Sequence, residues 1–172
     1  PRLFVIRIEP KYQELEGKDV PKTSKDGVSV SVIAGESLGI KSPVYTRTPT
    51  MYLDFKLDPG AILHQVIPEG WNAFAYVLEG ESSFGSVDAT PIGAHHTIQL
   101  GMGDGVSVWN KSTGTCRFVL IAGQPLKEPV VQYGPFVMNT KEEIMQAIRD
   151  YQNSRNGFER AQGWKSDPVQ LE

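Results

Sequence analysis

The chain has 172 residues, 40% of them hydrophobic and 22% charged, with a formal net charge of −3 and a single cysteine. That is enough for one soluble globular domain with tails and a real core, and too acidic for a general affinity for nucleic acid, which needs a basic face. Apolar runs such as Phe118 to Ala122 are too short to span a bilayer, and a lone Cys116 excludes an internal disulfide, as fits a reducing cytosol or nucleus. No basic-then-apolar signal segment is read at the start, and Pro1 in place of Met suggests a processed or truncated product.

In chain order, residues 1–27 read as a connecting arm. Leu3 to Ile8 is β-prone, and Glu9 to Lys25 is charged and broken by Pro10, Gly17 and Pro21. Val28 to Ile33 alternates apolar and polar residues, the period of a half-buried strand. Met51 to Leu57 alternates in the same way, and Asp58-Pro-Gly60 places Pro and Gly as a type II turn requires. Ala61 to Ile67 is the next run, closed by the turn Pro68-Glu-Gly70. Asn72 to Leu78 leads through Glu79-Gly80 to a return strand ending near Phe84. Thr97 to Leu100, Val106 to Trp109 and Cys116 to Ala122 complete the series.

From Thr140 the period changes. Thr140-Lys-Glu-Glu143 has the form of a capping box, in which a hydroxyl and a carboxylate each satisfy an orphan backbone donor. Ile144, Ala147, Ile148 and Tyr151 then fall on one apolar stripe, which predicts a helix from 141 to about 154, with Gly157 as its stop. Many short strands followed by one helix predict an all-β fold, an antiparallel sandwich or barrel, over 28–138, with the C-terminal α-helix and tail over 139–172.

The stretch Tyr45-Thr-Arg-Thr-Pro-Thr-Met-Tyr-Leu-Asp-Phe55 resembles pirin sequence, as do Val131 to Thr140 and Asn156-Gly-Phe-Glu-Arg160. Glu9 to Glu14, Lys25-Asp-Gly27, His95-His96 and Leu120 to Gly123 agree in order and spacing. The likeness runs from about Glu9 to Trp164; Pro1 to Arg7 does not share it. The resemblance implies a cupin, a double-stranded β-helix of jelly-roll form. Pirins carry two such barrels, the first with a single iron held by three His and a Glu, the second usually without metal. This chain is similar to the second barrel, and none of its segments matches the iron ligands of the first. The family is described as nuclear, as a transcription co-regulator, and in some members as a quercetin 2,3-dioxygenase.

A metal-binding cupin places two His at i and i+2 and a Glu on one hairpin, because alternate strand residues face the interior. Counted from Gly60 and back from Gly80, those positions fall on Val66, Pro68 and Ala73, none of which binds iron. The remaining His64, His95 and His96 cannot all line one interior, since strand neighbours point to opposite faces. Structural or surface roles are therefore expected for all three. Gly101-Met-Gly-Asp-Gly105 lacks the G-x-G-x-x-G spacing and is followed by a strand, so it reads as a turn, not a phosphate loop. Cys116 opens an apolar run and reads as a buried, inert thiol; Glu142-Glu143 suit a helix N-terminus, and Glu79 and Glu81 flank a turn. Phe55, Phe74, Tyr76, Phe84 and Phe118 are read as filling the interior, with a pocket for a small aromatic ligand as the alternative.

No catalytic, cofactor-binding or metal-binding residue is therefore assigned. The expectation is a metal-free C-terminal cupin module with no catalysis of its own, supporting an iron-binding N-terminal barrel that lies outside this chain and contributing to contacts with transcription-related proteins. The alternative is one part of a quercetin 2,3-dioxygenase-type oxidoreductase whose iron is in that other barrel. Self-association of the fragment, no direct nucleic-acid or membrane partner, and a nuclear and cytoplasmic location complete the expectations.

Overall fold

The computed structural model describes residues 12–165. By proximity these divide into one unit up to Leu126 and a second from Lys127 onward. Leu3 to Ile8, read as β-prone, and the tail beyond Lys165 lie outside the described residues.

In the first unit the strands are β1 (Lys22–Lys25), β2 (Val28–Ala34), β3 (Glu36–Ser37), β4 (Ile40–Lys41), β5 (Thr50–Leu57), β6 (Ile62–Val66), β7 (Asn72–Glu79), β8 (Glu81–Phe84), β9 (Ile92–Gly93), β10 (Thr97–Gln99), β11 (Gly105–Trp109) and β12 (Cys116–Gly123). They form a six-stranded sheet in the order β1-β2-β5-β12-β7-β10 and a four-stranded sheet in the order β6-β11-β8-β9, with β3-β4 as a small hairpin. Every pairing is antiparallel. β5 and β12 are neighbours although about sixty residues apart, the long crossover that distinguishes a jelly roll from a meander.

The alternation predicted from sequence is what closes the core. Val28, Val30 and Val32 of β2, Leu53, Phe55 and Leu57 of β5, and Phe118 and Leu120 of β12 are almost fully buried. From the other sheet Leu63, Val106, Val108 and Phe84 meet them. Phe118 is the centre of this interior, stacked on Phe55 at 5.4 Å between ring centroids and edge-on to Phe84 at 5.1 Å. Phe74 and Tyr76, read as interior residues, instead lie on the outer face of β7, because its inward positions are Ala73, Ala75 and Val77. The aromatic type of a residue does not fix which way the pleat turns it.

Two glycines are demanded by close approach. A side chain at Gly80, between β7 and β8, would be driven into the Thr115 carbonyl oxygen. At Gly105 a Cβ would sit 2.6 Å from the Gln65 carbonyl oxygen, so β11 could not lie beside β6. The 101–105 segment is thus the turn expected, and β11 follows it.

The second unit holds a hairpin, β13 (Val131–Tyr133) paired with β14 (Phe136–Met138). Helix α1 (Lys141–Gln152) packs on it. The capping box is present as predicted: the Glu143 amide donates to Thr140 Oγ1 at 3.2 Å, and the Thr140 amide to Glu143 Oε2 at 3.1 Å. Ile144 and Ala147 are buried, Ile148 is half-buried and Tyr151 is half-exposed in a cluster of three rings with Phe136 and Phe158. Gly157 is not the stop. The helix ends at Asn153, and Ser154 takes the left-handed conformation after it, with φ 51°.

Candidate functional site

The interior of the sandwich changes character from one end to the other. At the end holding Leu57, Cys116 and Phe84 it is filled by aromatic and branched side chains. Asn110 closes this end. Its buried amide donates to the carbonyls of Leu57 (3.0 Å), Asp58 (3.1 Å) and Gly114 (2.8 Å), while Oδ1 accepts from the amide and hydroxyl of Ser112. Nothing in the local sequence marks Asn110 as special, since its main partners lie more than fifty residues upstream.

At the opposite end the same strands present Ala34, Met51, Ala73 and Ala122, with the buried polar side chains of Gln65 and Ser37 among them. Ser37 Oγ donates to Gln65 Oε1 at 2.7 Å, and Gln65 Nε2 donates to the Val66 carbonyl at 2.8 Å with the Met51 sulfur beside it. A cavity of about 720 Å³ opens over this amide, walled by the β3-β4 hairpin, the 42–50 loop, Val66 and Trp71. The loop is held from outside by a two-point clamp: Gln13 Nε2 donates to the Tyr45 carbonyl at 2.6 Å, and the Tyr45 amide donates back to Gln13 Oε1 at 2.9 Å. This is the candidate functional site, and the lining includes an acid, Glu36, and a base, Lys41, that face each other across the hairpin register.

The positions counted as vestigial ligand sites need correction. On β6 the inward residues are Leu63 and Gln65, followed by Ile67; Val66 is 72% exposed and His64 also points outward. Counting from Gly60 put Val66 on the inner face, whereas β6 turns it outward and its neighbour Gln65 inward, since a one-residue difference reverses the face of a strand residue. Only Ala73 of the three named positions contacts the core. The corrected inward set, Leu63, Gln65, Ala73, Ala75 and Val77, still does not fit an iron ion. Its one polar member is an amide already bonded to Ser37 and to backbone.

The histidines are dispersed. His64 Nδ1 shares a 2.8 Å hydrogen bond with Ser107 Oγ on the outer face of the four-stranded sheet, and its ring stands edge-on to Trp109. His95 and His96 occupy the turn between β9 and β10, not a strand. His95 has φ 66°, and His96 Nδ1 lies 3.0 Å from the Ala94 carbonyl oxygen. Among the described residues no group of three or more His, Cys, Asp or Glu is placed to hold a metal. Cys116 is fully buried, and burial pushes its thiol above the ordinary value while the neighbouring Ser82 hydroxyl pulls the other way. A thiol held protonated is a poor nucleophile. Glu79 and Glu81 are exposed beside Gly80, and Glu142 is exposed in the first turn of α1.

Comparison with known proteins agrees with this architecture. Residues 52–157 match the pirin C-terminal cupin domain family. The chain is 66% identical over 159 residues to a pirin-like protein of Solanum lycopersicum and 62% identical over 160 residues to the pirin of Homo sapiens. Each match covers 92% of this chain and 55% of the relative. Among solved structures, a quercetin 2,3-dioxygenase from Acinetobacter baumannii superposes with a TM-score of 0.76 at 35% identity, over 86% of this chain and 51% of that one. The chain spans about half the length of the curated relatives it matches. By sequence match and by fold, the chain belongs to the pirin family, as a C-terminal cupin domain.

Proposed function

We propose that this domain is a metal-free scaffold within a two-barrel protein: it supports an iron-binding N-terminal cupin barrel and contributes to contacts with partner proteins, including those of transcription co-regulation. The observation that supports the reading is the character of the interior at this end, where the inward residues Leu63, Gln65, Ala73 and Ala75 offer neither imidazole nor carboxylate. Iron then belongs to the other half of a parent chain. Among the described residues no helix is long and apolar enough to cross a membrane. Nuclear and cytoplasmic residence belongs with this proposal.

The test is metal content, by mass spectrometry, of this chain, the N-terminal half and the full-length parent, all purified without an affinity metal. The scaffold reading expects iron near one equivalent in the parent, less than about a tenth in this chain, and weaker retention in the isolated N-terminal half. Stoichiometric iron in this chain alone overturns it.

The likeness to the bacterial quercetin 2,3-dioxygenase structure favours a second reading, in which this domain is one half of an oxidoreductase acting on quercetin. That reading expects the iron-loaded parent to consume quercetin with uptake of dioxygen, and this chain alone to be inactive. An iron-replete parent without turnover removes the enzyme reading and leaves the scaffold reading standing.

A further inference from the structure

The outer surface of the six-stranded sheet is divided along its strands. Towards the closed end it carries ions. Arg117 grips Asp54 at two points, 3.0 and 2.6 Å, and Lys56 and Glu79 are the cross-strand partners of Arg117. Towards the open end the register sets Gln99, Phe74, Ile121 and Tyr52 in one row across β10, β7, β12 and β5. Phe74 and Tyr52 each keep 38% of their surface in solvent.

Beyond that row a second concavity of about 910 Å³ lies against the sheet, and none of the residues lining it is acidic, basic or histidine. Its apolar wall includes Trp71, Phe74 and the fully exposed Met102. Its polar wall is Thr50, whose hydroxyl donates to the Thr48 carbonyl at 2.9 Å, with Asn72, Thr97, Gln99 and Gln124, whose side chains make no hydrogen bond to another described residue. In a chain with 37 charged residues (17 basic and 20 acidic), a lining of fifteen with none selects for an uncharged ligand.

We propose that this concavity binds a short neutral oligosaccharide. The chemistry matches on both walls. The negative face of an aromatic ring attracts the weakly positive C–H face of a pyranose. A side-chain amide offers one acceptor and two donors, which suits hydroxyls that are both donor and acceptor. A purely apolar ligand would desolvate Asn72, Gln99 and Gln124 without replacing their water, and an anionic one would find no counter-charge. The volume lies within the usual range of ligand sites, while the open form predicts weak binding, with a Kd on the order of 0.1–1 mM.

The experiment is an amide chemical-shift titration of the 172-residue chain with cellohexaose, laminarihexaose, mannohexaose and xylohexaose in turn, and with an oligogalacturonate as the anionic counterpart. At least one neutral sugar should give saturable shifts confined to residues 70–74, 97–102 and 121–124. Phe74→Ala removes a surface ring, so it should leave the fold intact and weaken binding at least about tenfold; Gln99→Ala should also weaken it. Lys56→Ala, at the charged end of the same face, should bind as wild type does. The proposal fails if no neutral sugar gives saturable shifts, if the shifts survive both substitutions unchanged, or if the oligogalacturonate binds equally well.

Discussion

At one end of the sandwich Phe55, Phe84 and Phe118 fill the space between the sheets, and Asn110 ties the closing loops together. At the other end the same β5, β7 and β12 supply Met51, Ala73 and Ala122, and an amide held by Ser37 takes the centre. Volume accounts for the contrast. Large rings fill the interior where the strands are bound together by Asn110, and small residues leave concavities where they diverge into the 42–50 and 100–105 loops. One end is closely packed, and the other keeps open concavities. Among the described residues no group of three or more His, Cys, Asp or Glu accompanies that openness; the first concavity offers the Glu36–Lys41 pair beside an amide, and the second offers neutral polar groups.

The contrast breaks first if the closed end is not where stability is concentrated. Phe118→Ala removes a ring that contacts both sheets and should cost about 3–5 kcal/mol, against about 2 kcal/mol for Met51→Ala, whose open surroundings can relax. Urea melts of the two variants test this, and equal losses would refute the division. Next in size is Asn110→Asp, which aims a carboxylate oxygen at the Leu57, Asp58 and Gly114 carbonyls that now accept hydrogen bonds from an amide. A loss of about 3 kcal/mol is expected, since donors vanish and a buried charge is left facing acceptors. A variant that melts like wild type would show that water replaces the hub.

At the open end the informative experiment is a pair. Gln65→Leu should cost about 1–3 kcal/mol because the buried Ser37 hydroxyl loses its acceptor. Adding Ser37→Ala should recover part of that loss, with a coupling on the order of 1 kcal/mol in a double-mutant cycle. Strict additivity would mean that the two side chains do not hold the β3-β4 hairpin to β6.

Much of this was legible in the sequence. The period of two in Val28 to Ile33 and Met51 to Leu57 showed which residues of β2 and β5 form the core, and the Thr140–Glu143 box set the start of α1 within one residue. Face assignment failed where alternation was counted across a turn: the tally from Gly60 chose Val66 and Pro68, and the true inward residue is Gln65. It failed again for Phe74 and Tyr76, where hydrophobic type was taken for burial, although the smaller Ala73, Ala75 and Val77 hold the inner face. Asn110 was invisible because its meaning lies in partners 52 and 53 residues away. The β13-β14 hairpin escaped notice because three-residue strands carry too little periodicity to register.

The smallest expected effect belongs to the second unit, whose helix is fastened by polar contacts as well as by rings. Asp150 is held below the ordinary carboxylate range by hydrogen bonding from Asn156 first, and then from Arg155 and Gln146, against the opposing effect of its burial. Arg155 Nε donates to Asp150 Oδ1 at 2.8 Å and Gln146 Nε2 to the same oxygen at 2.8 Å. A carboxyl whose folded pKa is depressed adds stability that is fully present above its unfolded value. That contribution is lost as pH falls through the folded value. The window therefore opens near pH 4 and runs downward, with no effect at neutrality. In that window the turn from Ser154 to Phe158, which Asp150 anchors through Arg155, should loosen before the sandwich does, whose core is closed without ionised groups. Amide hydrogen exchange of residues 150–158 as a function of pH measures it directly. Asp150→Asn keeps a hydrogen-bond acceptor but cannot titrate, so its exchange should be flatter across the acid window. If wild type and Asp150→Asn show the same acid limb, Asp150 does not fasten the helix end, and the three-ring cluster of Phe136, Tyr151 and Phe158 holds it alone.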